Sequence, residues 1–495
     1  LIFFCIVLFS SENYIYNFNF YNIYNLEFLN ITILLDNKSR YFLCILYLIT
    51  SSVFYFSYYY LNNFRFNFII IFFVFSMTIL IIAPNFITFL IGWDGLGFTS
   101  FLLVSWYGSD SSLSASLKTF LTNRIGDSLL FICLLNIFYQ NYLNVYTIDC
   151  ILSNSVLFLL IISTFTKSSQ FPFCSWLPLA MNAPTPVSAL VHSSTLVTAG
   201  VYFLIRFNSI LPYNWLFFIS VVGLFTMLFG GVVANFETDA KKIVAFSTLS
   251  QLGFMVFAII WSDLCFNYLL IHACFKALMF ISIGVSMLLN NHNQDFRILN
   301  INDPLILINL FVSIISVSGF PLLSSFLIKD LIIFSIGNLW YYFFILSVIL
   351  SCFYSIRLLH LCINNYNFYL FVEYNVDVYF PLYICSFILG YNLNSNFIVF
   401  HDNFILKIVF LSLLVGIDHI NFNKNNCFII LNFINFNTLF LSSSNIFYIL
   451  DHSIFVMTFF NYISNWNIIL SNFFEITWLG LIVFSLFFFF AILLI

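Results

Sequence analysis

Ionisable residues beside or within long apolar runs are the first feature of this sequence that could carry chemistry. Three of them are lysines, namely Lys167, Lys276 and Lys329. A lysine can release its proton when its ammonium group is taken out of water, whereas an arginine stays charged. Ionisable side chains in membrane segments usually face a protein interior or a wet cavity. The three lysines are therefore predicted to carry protons.

Carboxylates in neighbouring runs are candidates for holding these lysines in the protonated form. Asp94 lies in the run LIGWDGLGF and is predicted to pair with Lys167, because a carboxylate within about 4–6 Å stabilises an ammonium. Arg124 and Asp127 are three residues apart and share a helix face. They could form a local ion pair that fixes packing, or belong to the proton path.

A stripe of protonatable groups is predicted on one helix. Tyr268, His272 and Lys276 follow one another at intervals of four residues, which places all three on one face. A lone buried histidine is more often a satisfied core residue, but here each group has a titratable neighbour one turn away. The stripe is predicted to pass protons along. Further candidates for the path are His192, Lys241 and Asp330.

Composition decides which kind of protein must position these residues. The chain has 495 residues, of which 62% are hydrophobic and 7% are charged. Ordinary globular domains carry about 25% charged residues, so a water-soluble fold is excluded. At about 20 residues per crossing, the length predicts an all-α polytopic membrane protein with roughly 14–16 transmembrane helices. The apolar runs are continuous, which argues against the alternating strands of a membrane β-barrel.

The apolar runs are the predicted spans. They lie near residues 41–60, 66–83, 86–106, 121–140, 152–168, 187–205, 213–235, 242–261, 264–288, 304–319, 322–337, 339–363, 379–391, 404–418, 427–441 and 477–495. The pattern S-x-F-P interrupts two of these segments, and Pro172 and Pro321 are predicted to break their helices. The second break lies five helices after the first, which indicates two repeats of opposite orientation with a transport site between them.

Several classes of site are excluded by pattern. The net charge is −4 and the basic residues are dispersed, which argues against nucleic-acid binding. The sequence contains neither a dinucleotide fingerprint nor a P-loop. Its 11 cysteines form no C-x-x-C pair, so no zinc or iron–sulfur site is predicted. Any redox chemistry is expected in a partner. The bias towards Phe, Leu, Ile, Tyr and Asn suits translation from an organellar genome.

Several motifs between about residues 66 and 360 resemble the antiporter-like membrane subunits of mitochondrial NADH:ubiquinone oxidoreductase, respiratory complex I. They are GWDGLGFTSFLLVSWY, NRIGD, TKSSQFPFCSWLPLAMNAPTPVSALVHSST, TDAKKIVAFSTLSQLGFM, HACFKALMF, QDFR and GFPLLSSFLIKD. The resemblance implies N-terminal helices in residues 1–65, five-helix repeats in residues 66–210 and 211–363, and a C-terminal region, 364–495, with further helices and a lateral helix.

The resemblance also implies roles for individual residues. The proton-translocating residues of the family fall on Asp94, Lys167, His192, Lys276 and Lys329. This chain departs from the family at three places, with Asp94 instead of a glutamate, Tyr268 instead of a second histidine, and Asn182 instead of a glutamate. Because tyrosine is a poorer proton carrier, the path is expected to run through water near Tyr268.

The function implied is proton translocation in the mitochondrial inner membrane, as a subunit of the NADH:ubiquinone reductase. NADH, FMN, iron–sulfur clusters and ubiquinone are expected in partner subunits and not in this chain. The expected partners are the neighbouring antiporter-like subunit 4 and lipids such as cardiolipin, and no nucleic acid. One alternative is the large subunit of a multisubunit cation/proton antiporter. Another is a structural subunit of the membrane arm that does not pump.

Overall fold

The computed structural model describes residues 14–18, 31–139, 153–290, 292–296, 299, 304–319, 324–336 and 338–364. These residues belong to the first of two compact units, Leu1–Gly416. The second unit, Ile417–Ile495, lies outside the described residues. So do the predicted spans at 379–391, 404–418, 427–441 and 477–495 and the predicted lateral helix.

Helices make up most of the described residues, which confirms the predicted all-α membrane fold. They are α1 (Asn37–Tyr60), α2 (Phe64–Ile82), α3 (Phe86–Val104), α4 (Asp110–Tyr139), α5 (Asn154–Lys167), α6 (Trp176–Leu179), α7 (Thr185–Arg206), α8 (Tyr213–Phe236), α9 (Ala240–Phe257), α10 (Ser262–Leu289), α11 (Pro304–Ser318), α12 (Ser324–Ser335) and α13 (Asn338–Asn364).

Six stretches of the described chain are long and apolar enough to cross a membrane. They are Asn37–Tyr60, Phe64–Ile82, Thr88–Tyr107, Thr185–Arg206, Tyr213–Phe236 and Ala240–Leu289. The last has 50 residues and contains both α9 and α10, separated by a 3-10 turn at Ala258–Trp261. Each agrees with predicted spans. The total of 14–16 crossings stays a prediction, because part of it falls outside the described residues.

A short hairpin near the start of the chain precedes helix α1 within residues 1–65, and the sequence did not predict it. Strand β1 (Tyr14–Phe18) pairs with β2 (Ile31–Leu35) in antiparallel register, with Tyr14 opposite Leu35. Both segments are rich in aromatic or β-branched residues, YIYNF and ITILL, which favour strands. Their length of five residues each is too short to span a membrane as a helix.

The predicted break of the first interrupted helix is confirmed. Helix α5 ends at Lys167 and α6 begins at Trp176, with Pro172 in the intervening segment. Proline lacks the amide hydrogen that a continuing helix would need. The indole nitrogen of Trp176 donates to the carbonyl oxygen of Thr166 at 3.0 Å, which satisfies one of the carbonyls left free at the end of α5.

The second interrupted helix also has its gap where predicted. Helix α11 ends at Ser318 and α12 begins at Ser324. Gly319 has φ = +82°, a left-handed conformation that glycine adopts without strain. Pro321 itself lies outside the described residues. The opposite orientation of the two repeats stays a prediction.

An ion pair at the ends of two spans joins the start of α1 to the end of α7. Asp36 caps the N-terminus of α1, and the Arg206 guanidinium donates to both of its carboxylate oxygens, at 2.5 and 2.8 Å. Burial raises the pKa of Asp36, but the hydrogen bonds and the charge of Arg206 lower it by more, so the net pKa lies below its ordinary value. Such two-pronged pairs fix geometry as well as adding stability.

Candidate functional site

Lys167 is the centre of the first cluster. It is the last residue of α5, immediately before the helix break, and its side chain is fully buried. The ammonium nitrogen donates to the carbonyl oxygen of Trp93 at 3.1 Å and lies 5.0 Å from the centre of the Trp93 ring. The C-terminal end of a helix favours a positive charge. The helix break therefore supplies both the position and part of the stabilisation of this lysine.

Asp127 of α4 is the carboxylate nearest to Lys167. Its Oδ1 atom lies 4.0 Å from the Lys167 nitrogen and accepts a hydrogen bond of 2.7 Å from the Trp93 indole. Close packing of α4 on α5 brings it there, since a Cβ atom on Gly126 would lie 1.9 Å from the Thr166 hydroxyl oxygen. Only glycine allows this approach. The neighbouring residue, Asp127, is thereby held against the end of α5.

Asp94 and Lys167 form no ion pair within 4.0 Å among the described residues, so their predicted pairing over about 4–6 Å stays a prediction. Asp94 lies 3.4 Å from Arg124, and the two side chains are 52% and 40% exposed. Successive residues of a helix point about 100° apart. Because Trp93 faces Lys167, the next residue along α3 points outwards. The predicted pair of Arg124 with Asp127 does form, at 3.4 Å.

Arg124 therefore bridges two carboxylates, an arrangement that the sequence did not predict. It lies 3.4 Å from both Asp94 and Asp127. The outer carboxylate is half-exposed, and the inner one is buried beside Lys167. A cation placed in this way can lean towards either carboxylate. The sequence indicated only the contact of Arg124 with Asp127, through their i, i+3 spacing.

The predicted stripe on α10 is present. Tyr268, His272 and Lys276 are all buried, at 2%, 3% and 0% exposure, and the rings of the first two stack with centroids 6.5 Å apart. Helix α9 faces this stripe with two polar residues that sequence reasoning missed. Ser247 accepts from the Lys276 ammonium at 2.6 Å, and the Gln251 amide oxygen accepts from the Tyr268 hydroxyl.

The network on α9 continues to α13. The Gln251 amide nitrogen donates to the Tyr354 hydroxyl at 3.0 Å, and the Ser250 hydroxyl lies 3.3 Å from the same oxygen. Ser247 and Gln251 are four residues apart, the same interval as the α10 stripe. That shared spacing was the only sequence signal for a second polar face. The hydrogen bonds of Ser247 and Gln251 with the stripe show that α9 holds the stripe in position.

Lys329 of α12 lies at the second interrupted helix. Its ammonium donates to the carbonyl oxygen of Val317 at 2.6 Å, close to the end of α11, and its side chain is buried. A Cβ atom on Gly319 would approach the Lys329 side chain to 3.1 Å, so glycine at this position leaves room for the lysine. Asp330 follows on α12 and is partly buried.

Two histidines lie buried between these clusters. His192 sits in a π-helical stretch of α7, Ser188–Thr195, with its ring 6.1 Å from the Trp176 ring in an edge-on contact. Neither ring nitrogen of His192 or of His272 has a hydrogen-bond partner within the described part of the chain. Buried polar atoms of this kind are usually bonded to ordered water. The two histidines therefore mark positions where water is needed.

Lys241 has a different environment from the other buried lysines. It lies in the first turn of α9, and its ammonium donates to the carbonyl oxygen of Ala183 at 3.1 Å. Ala183 lies two residues before the start of α7, so this bond ties the beginning of α7 to α9. This hydrogen bond gives Lys241 a role in positioning α7 against α9.

The arrangement suits the transfer of protons between fixed carriers. Lys167, Lys276 and Lys329 are at most 2% exposed, and each donates to a neutral oxygen. Of these three lysines, only Lys167 has a carboxylate of the described residues within 4.0 Å. Helix α10, which carries Lys276, packs against helix α12, which carries Lys329. Two positive charges placed close together disfavour each other, so a proton on one lysine favours loss of the proton from its neighbour.

Comparison with known proteins identifies a family and its relatives. Residues 83–354 match the family described as NADH:quinone oxidoreductase/Mrp antiporter, transmembrane. The chain is 43% identical over 371 residues to "NADH-ubiquinone oxidoreductase chain 5" of Locusta migratoria, covering 70% of this chain and 65% of the relative. It is 39% identical over 378 residues to the protein of the same name from Lumbricus terrestris, covering 72% and 65%.

The predicted resemblance is thereby confirmed, and the chain spans slightly less than two thirds of the length of these relatives. Two solved structures share the fold at low identity. The Mrp complex of Dietzia sp. aligns with a TM-score of 0.71 and 21% identity, over 84% of this chain and 52% of that one. An archaeal membrane-bound sulfane sulfur reductase aligns with a TM-score of 0.68 and 18% identity, over 79% and 85%.

Proposed function

The chain belongs to the NADH:quinone oxidoreductase/Mrp antiporter transmembrane family, and we propose that it is a proton-translocating subunit of the membrane arm of respiratory complex I. The observation that carries this proposal is the set of three buried lysines, each bonded to a neutral oxygen. Two of them lie at interrupted helices, where transport proteins place their sites. The names of the relatives from Locusta migratoria and Lumbricus terrestris support complex I over other members of the family.

Electron transfer takes place elsewhere in the proposed complex. NADH, FMN, the iron–sulfur clusters and ubiquinone bind to partner subunits, and this chain holds none of them. Moving one charge against the membrane potential costs about 2.3 kcal/mol per 100 mV. Quinone reduction in the partners supplies that energy. The proposal places the chain in the mitochondrial inner membrane and its gene in the organelle.

The first step of the proposed mechanism is a movement of Arg124. When Arg124 leans towards Asp94, the carboxylate of Asp127 is free to stabilise the protonated form of Lys167. When Arg124 leans towards Asp127, it neutralises that carboxylate, and Lys167 loses its counter-charge. The equal distances of 3.4 Å from Arg124 to both carboxylates support this step. Lys167 then passes its proton on.

The second step carries the proton from Lys167 to the other repeat. It passes by His192 and water to the stripe of His272 and Lys276, and then to Lys329 and Asp330. The unbonded nitrogens of both histidines support water along this route. The packing of α10 against α12 supports onward transfer from Lys276 to Lys329.

The outward-facing pair of Asp94 and Arg124 supports a protein partner at this surface. Charged groups in membrane helices face protein or water and avoid lipid, yet these side chains are about half exposed on this chain. We propose that antiporter-like subunit 4 covers them and that its charges move Arg124. Elsewhere, exposed aromatic side chains of α2 such as Phe68, Phe72 and Phe75 suit the acyl chains of lipids, cardiolipin included.

A cation/proton antiporter is the second candidate function, favoured by the fold shared with the Mrp complex. Native-gel separation of gently solubilised membranes, with in-gel NADH dehydrogenase staining, distinguishes the two. Co-migration of this chain with the stained band supports complex I. Migration in a smaller assembly without NADH activity, together with Na⁺-dependent proton flux, supports the antiporter.

Variants of the lysines test proton translocation itself. Lys167→Met and Lys329→Met keep the length of the side chain and remove its charge. We expect each to lower the number of protons pumped per NADH oxidised in sealed membrane vesicles. Lys242→Met is the matched control, because Lys242 is 43% exposed and pairs with Asp239 away from the path. Normal pumping by both path variants would favour a structural subunit that does not pump.

A further inference from the structure

A glutamine side chain holds the segment that interrupts the first broken helix. Gln170 follows shortly after Lys167, the last residue of α5, and is 1% exposed. Its side-chain amide nitrogen donates to the carbonyl oxygen of Ser168 at 3.1 Å. Its backbone nitrogen donates to the carbonyl oxygen of Phe165 at 3.0 Å. Both bonds fasten Gln170 to the last turn of α5, which is the turn that carries Lys167.

The same segment contains a backbone conformation that needs support from its surroundings. Ser169 has φ = +51°, in the left-handed region that residues other than glycine rarely adopt. Such conformations persist only where the surrounding contacts hold them. Ser169 lies between Lys167 and Gln170 in the chain. A change in the contacts of Gln170 therefore changes the support of the backbone that follows Lys167.

Helix α8 supplies the contacts that hold this segment from outside. The hydroxyl of Thr226, which is fully buried, donates to the side-chain amide oxygen of Gln170 at 2.6 Å. Beside this bond, the rings of Phe171 and Phe225 meet edge-on with their centroids 4.8 Å apart. The segment thus rests on one turn of α8 through a directional hydrogen bond and an apolar contact.

The hydroxyl of Thr226 has two acceptors within reach and only one hydrogen to donate. Besides Gln170, the carbonyl oxygen of Gly223 in its own helix lies 2.9 Å from the hydroxyl oxygen. Thr226 can therefore release Gln170 and keep a hydrogen bond by turning towards Gly223. Rotation of one hydroxyl group makes or breaks the bond between the segment and α8, and the buried donor is satisfied in both positions.

Helix α8 is packed so closely on α9 that the two cannot shift separately at this level. A Cβ atom on Gly223 would lie 2.5 Å from the backbone nitrogen of Phe257 in α9. A Cβ atom on Gly253 of α9 would lie 2.5 Å from the Thr226 hydroxyl oxygen. Small residues let membrane helices approach this closely, and interiors of this density transmit displacements. A shift of α8 at Thr226 is therefore passed to α9.

Helix α9 carries the side chains that hold the stripe on α10. Gln251 lies in the same turn as Gly253 and accepts from the tyrosine hydroxyl of the stripe. Ser247, one turn before Gln251, accepts from the Lys276 ammonium at 2.6 Å. A continuous chain of contacts therefore joins the turn that carries Lys167 to the side chain that holds Lys276.

We propose that the hydrogen bond between Gln170 and Thr226 is the mechanical link through which the first interrupted helix and the stripe on α10 change conformation together. While the bond is made, both lysines stay in their buried positions. When Thr226 turns to Gly223, the segment after Lys167 loosens, and α9 shifts with α8 beneath Lys276. Gln170 and Thr226 are positioning residues, since neither carries a proton. The link rests on the proposed function, because it connects two of its proton carriers.

Variants of Thr226 test the hydrogen bond. Thr226→Val keeps the shape of the side chain and removes the hydroxyl, and Thr226→Ser keeps the hydroxyl. The readout is the number of protons pumped per NADH oxidised by fully assembled complex in sealed vesicles. We expect Thr226→Val to lower this ratio about fivefold, which is the shift in equilibrium that one buried hydrogen bond produces. Thr226→Ser is expected to restore most of it.

Thr78→Val in α2 is the matched control. Thr78 is buried, and within the described part of the chain its hydroxyl donates only to the Phe75 carbonyl of its own helix. We expect this variant to pump normally. The thermal midpoint of the complex is expected to fall no further in Thr226→Val than in Thr78→Val. Normal pumping by Thr226→Val, or an equal loss in Thr226→Ser, overturns the proposal.

A double-mutant cycle separates a link between the two repeats from local support of Lys167. Ser247→Ala removes the acceptor of the Lys276 ammonium. Ser247 lies about 9 Å along α9 from Gly253, at 1.5 Å per residue, and the effects of independent sites that far apart multiply as rate factors. If the link exists, Thr226→Val combined with Ser247→Ala pumps no worse than the poorer single variant. Losses that multiply overturn the proposal.

The failure of this proposal can be told apart from the failure of the proposed function. Lys167→Met is measured beside Thr226→Val. If Lys167→Met pumps normally, the proposed function is wrong, and the link falls with it. If Lys167→Met abolishes pumping while Thr226→Val pumps normally, only the link is wrong.

Discussion

The sharpest prediction concerns which carboxylate controls Lys167. Asp127→Asn removes the negative charge 4.0 Å from the ammonium but keeps an oxygen that can accept the hydrogen bond from Trp93. Asp94→Asn removes the charge of the outer carboxylate, which is 52% exposed and pairs with Arg124. The two substitutions are chemically identical and differ only in position. Their comparison isolates the geometry of the site.

The expected effects differ in size. At 4.0 Å and an effective dielectric constant of about 20, two unit charges attract by about 4 kcal/mol. A third of that attraction already corresponds to about a tenfold change in an equilibrium. We therefore expect Asp127→Asn to slow pumping at least tenfold. Asp94 acts on Lys167 only through Arg124, so Asp94→Asn is expected to slow pumping less than Asp127→Asn does.

The assay is the initial rate of proton pumping in sealed vesicles, divided by the rate of NADH oxidation in the same sample. The amount of assembled complex is measured on native gels, so that a variant that fails to assemble is not mistaken for one that fails to pump. Equal losses for the two variants, or a greater loss for Asp94→Asn, would refute the assignment of Asp127 as the partner of Lys167.

Three further predictions test other parts of the structure. Gly126→Ala places a Cβ atom 1.9 Å from the Thr166 hydroxyl; the overpacking is expected to cost about 1–3 kcal/mol, measured as a lower thermal midpoint of the complex. Asp36→Asn breaks the pair with Arg206 and is expected to lower stability at pH 7 by about 1–3 kcal/mol. The folded-state pKa of Asp36 lies below its ordinary value of 3.8. The stability difference between the unmodified protein and Asp36→Asn is therefore present above pH 3.8 and disappears as the pH falls through the folded-state pKa. Thermal unfolding scans across the acid range measure this difference. Tyr268→Phe removes a hydroxyl bonded to Gln251 and is expected to slow pumping several-fold, measured at an unchanged rate of NADH oxidation with an artificial acceptor.

The membrane fold could be predicted from the sequence because each span is recorded locally. A run of about 20 apolar residues is sufficient to indicate a crossing, and a proline at position 172 is sufficient to indicate a break. The short hairpin of β1 and β2 was not predicted, because it has no comparable local signal in the sequence. Its strands have five residues each, and their pairing depends on contacts between segments 13 or more residues apart along the chain.

The candidate site was predictable in its members and less so in its contacts. The lysines stand out because a charge in an apolar run is rare, and the stripe on α10 follows from helical spacing alone. The partner of Lys167 depends on which face of α3 and α4 turns inwards. The sequence does not record that orientation, so Asp127 was not singled out as the carboxylate nearest to Lys167. Gln251 and Tyr354 were missed because neutral polar residues in membrane helices have no comparable signal.

In the proposed mechanism, buried lysines carry protons between the two repeats, and Lys276 is the residue that joins them. A direct test is to count the protons pumped per NADH oxidised by fully assembled complex carrying Lys276→Met. The mechanism predicts a lower ratio than in the unmodified complex, because the stripe on α10 then lacks its carrier. An unchanged ratio, with normal assembly and normal NADH oxidation, would contradict it.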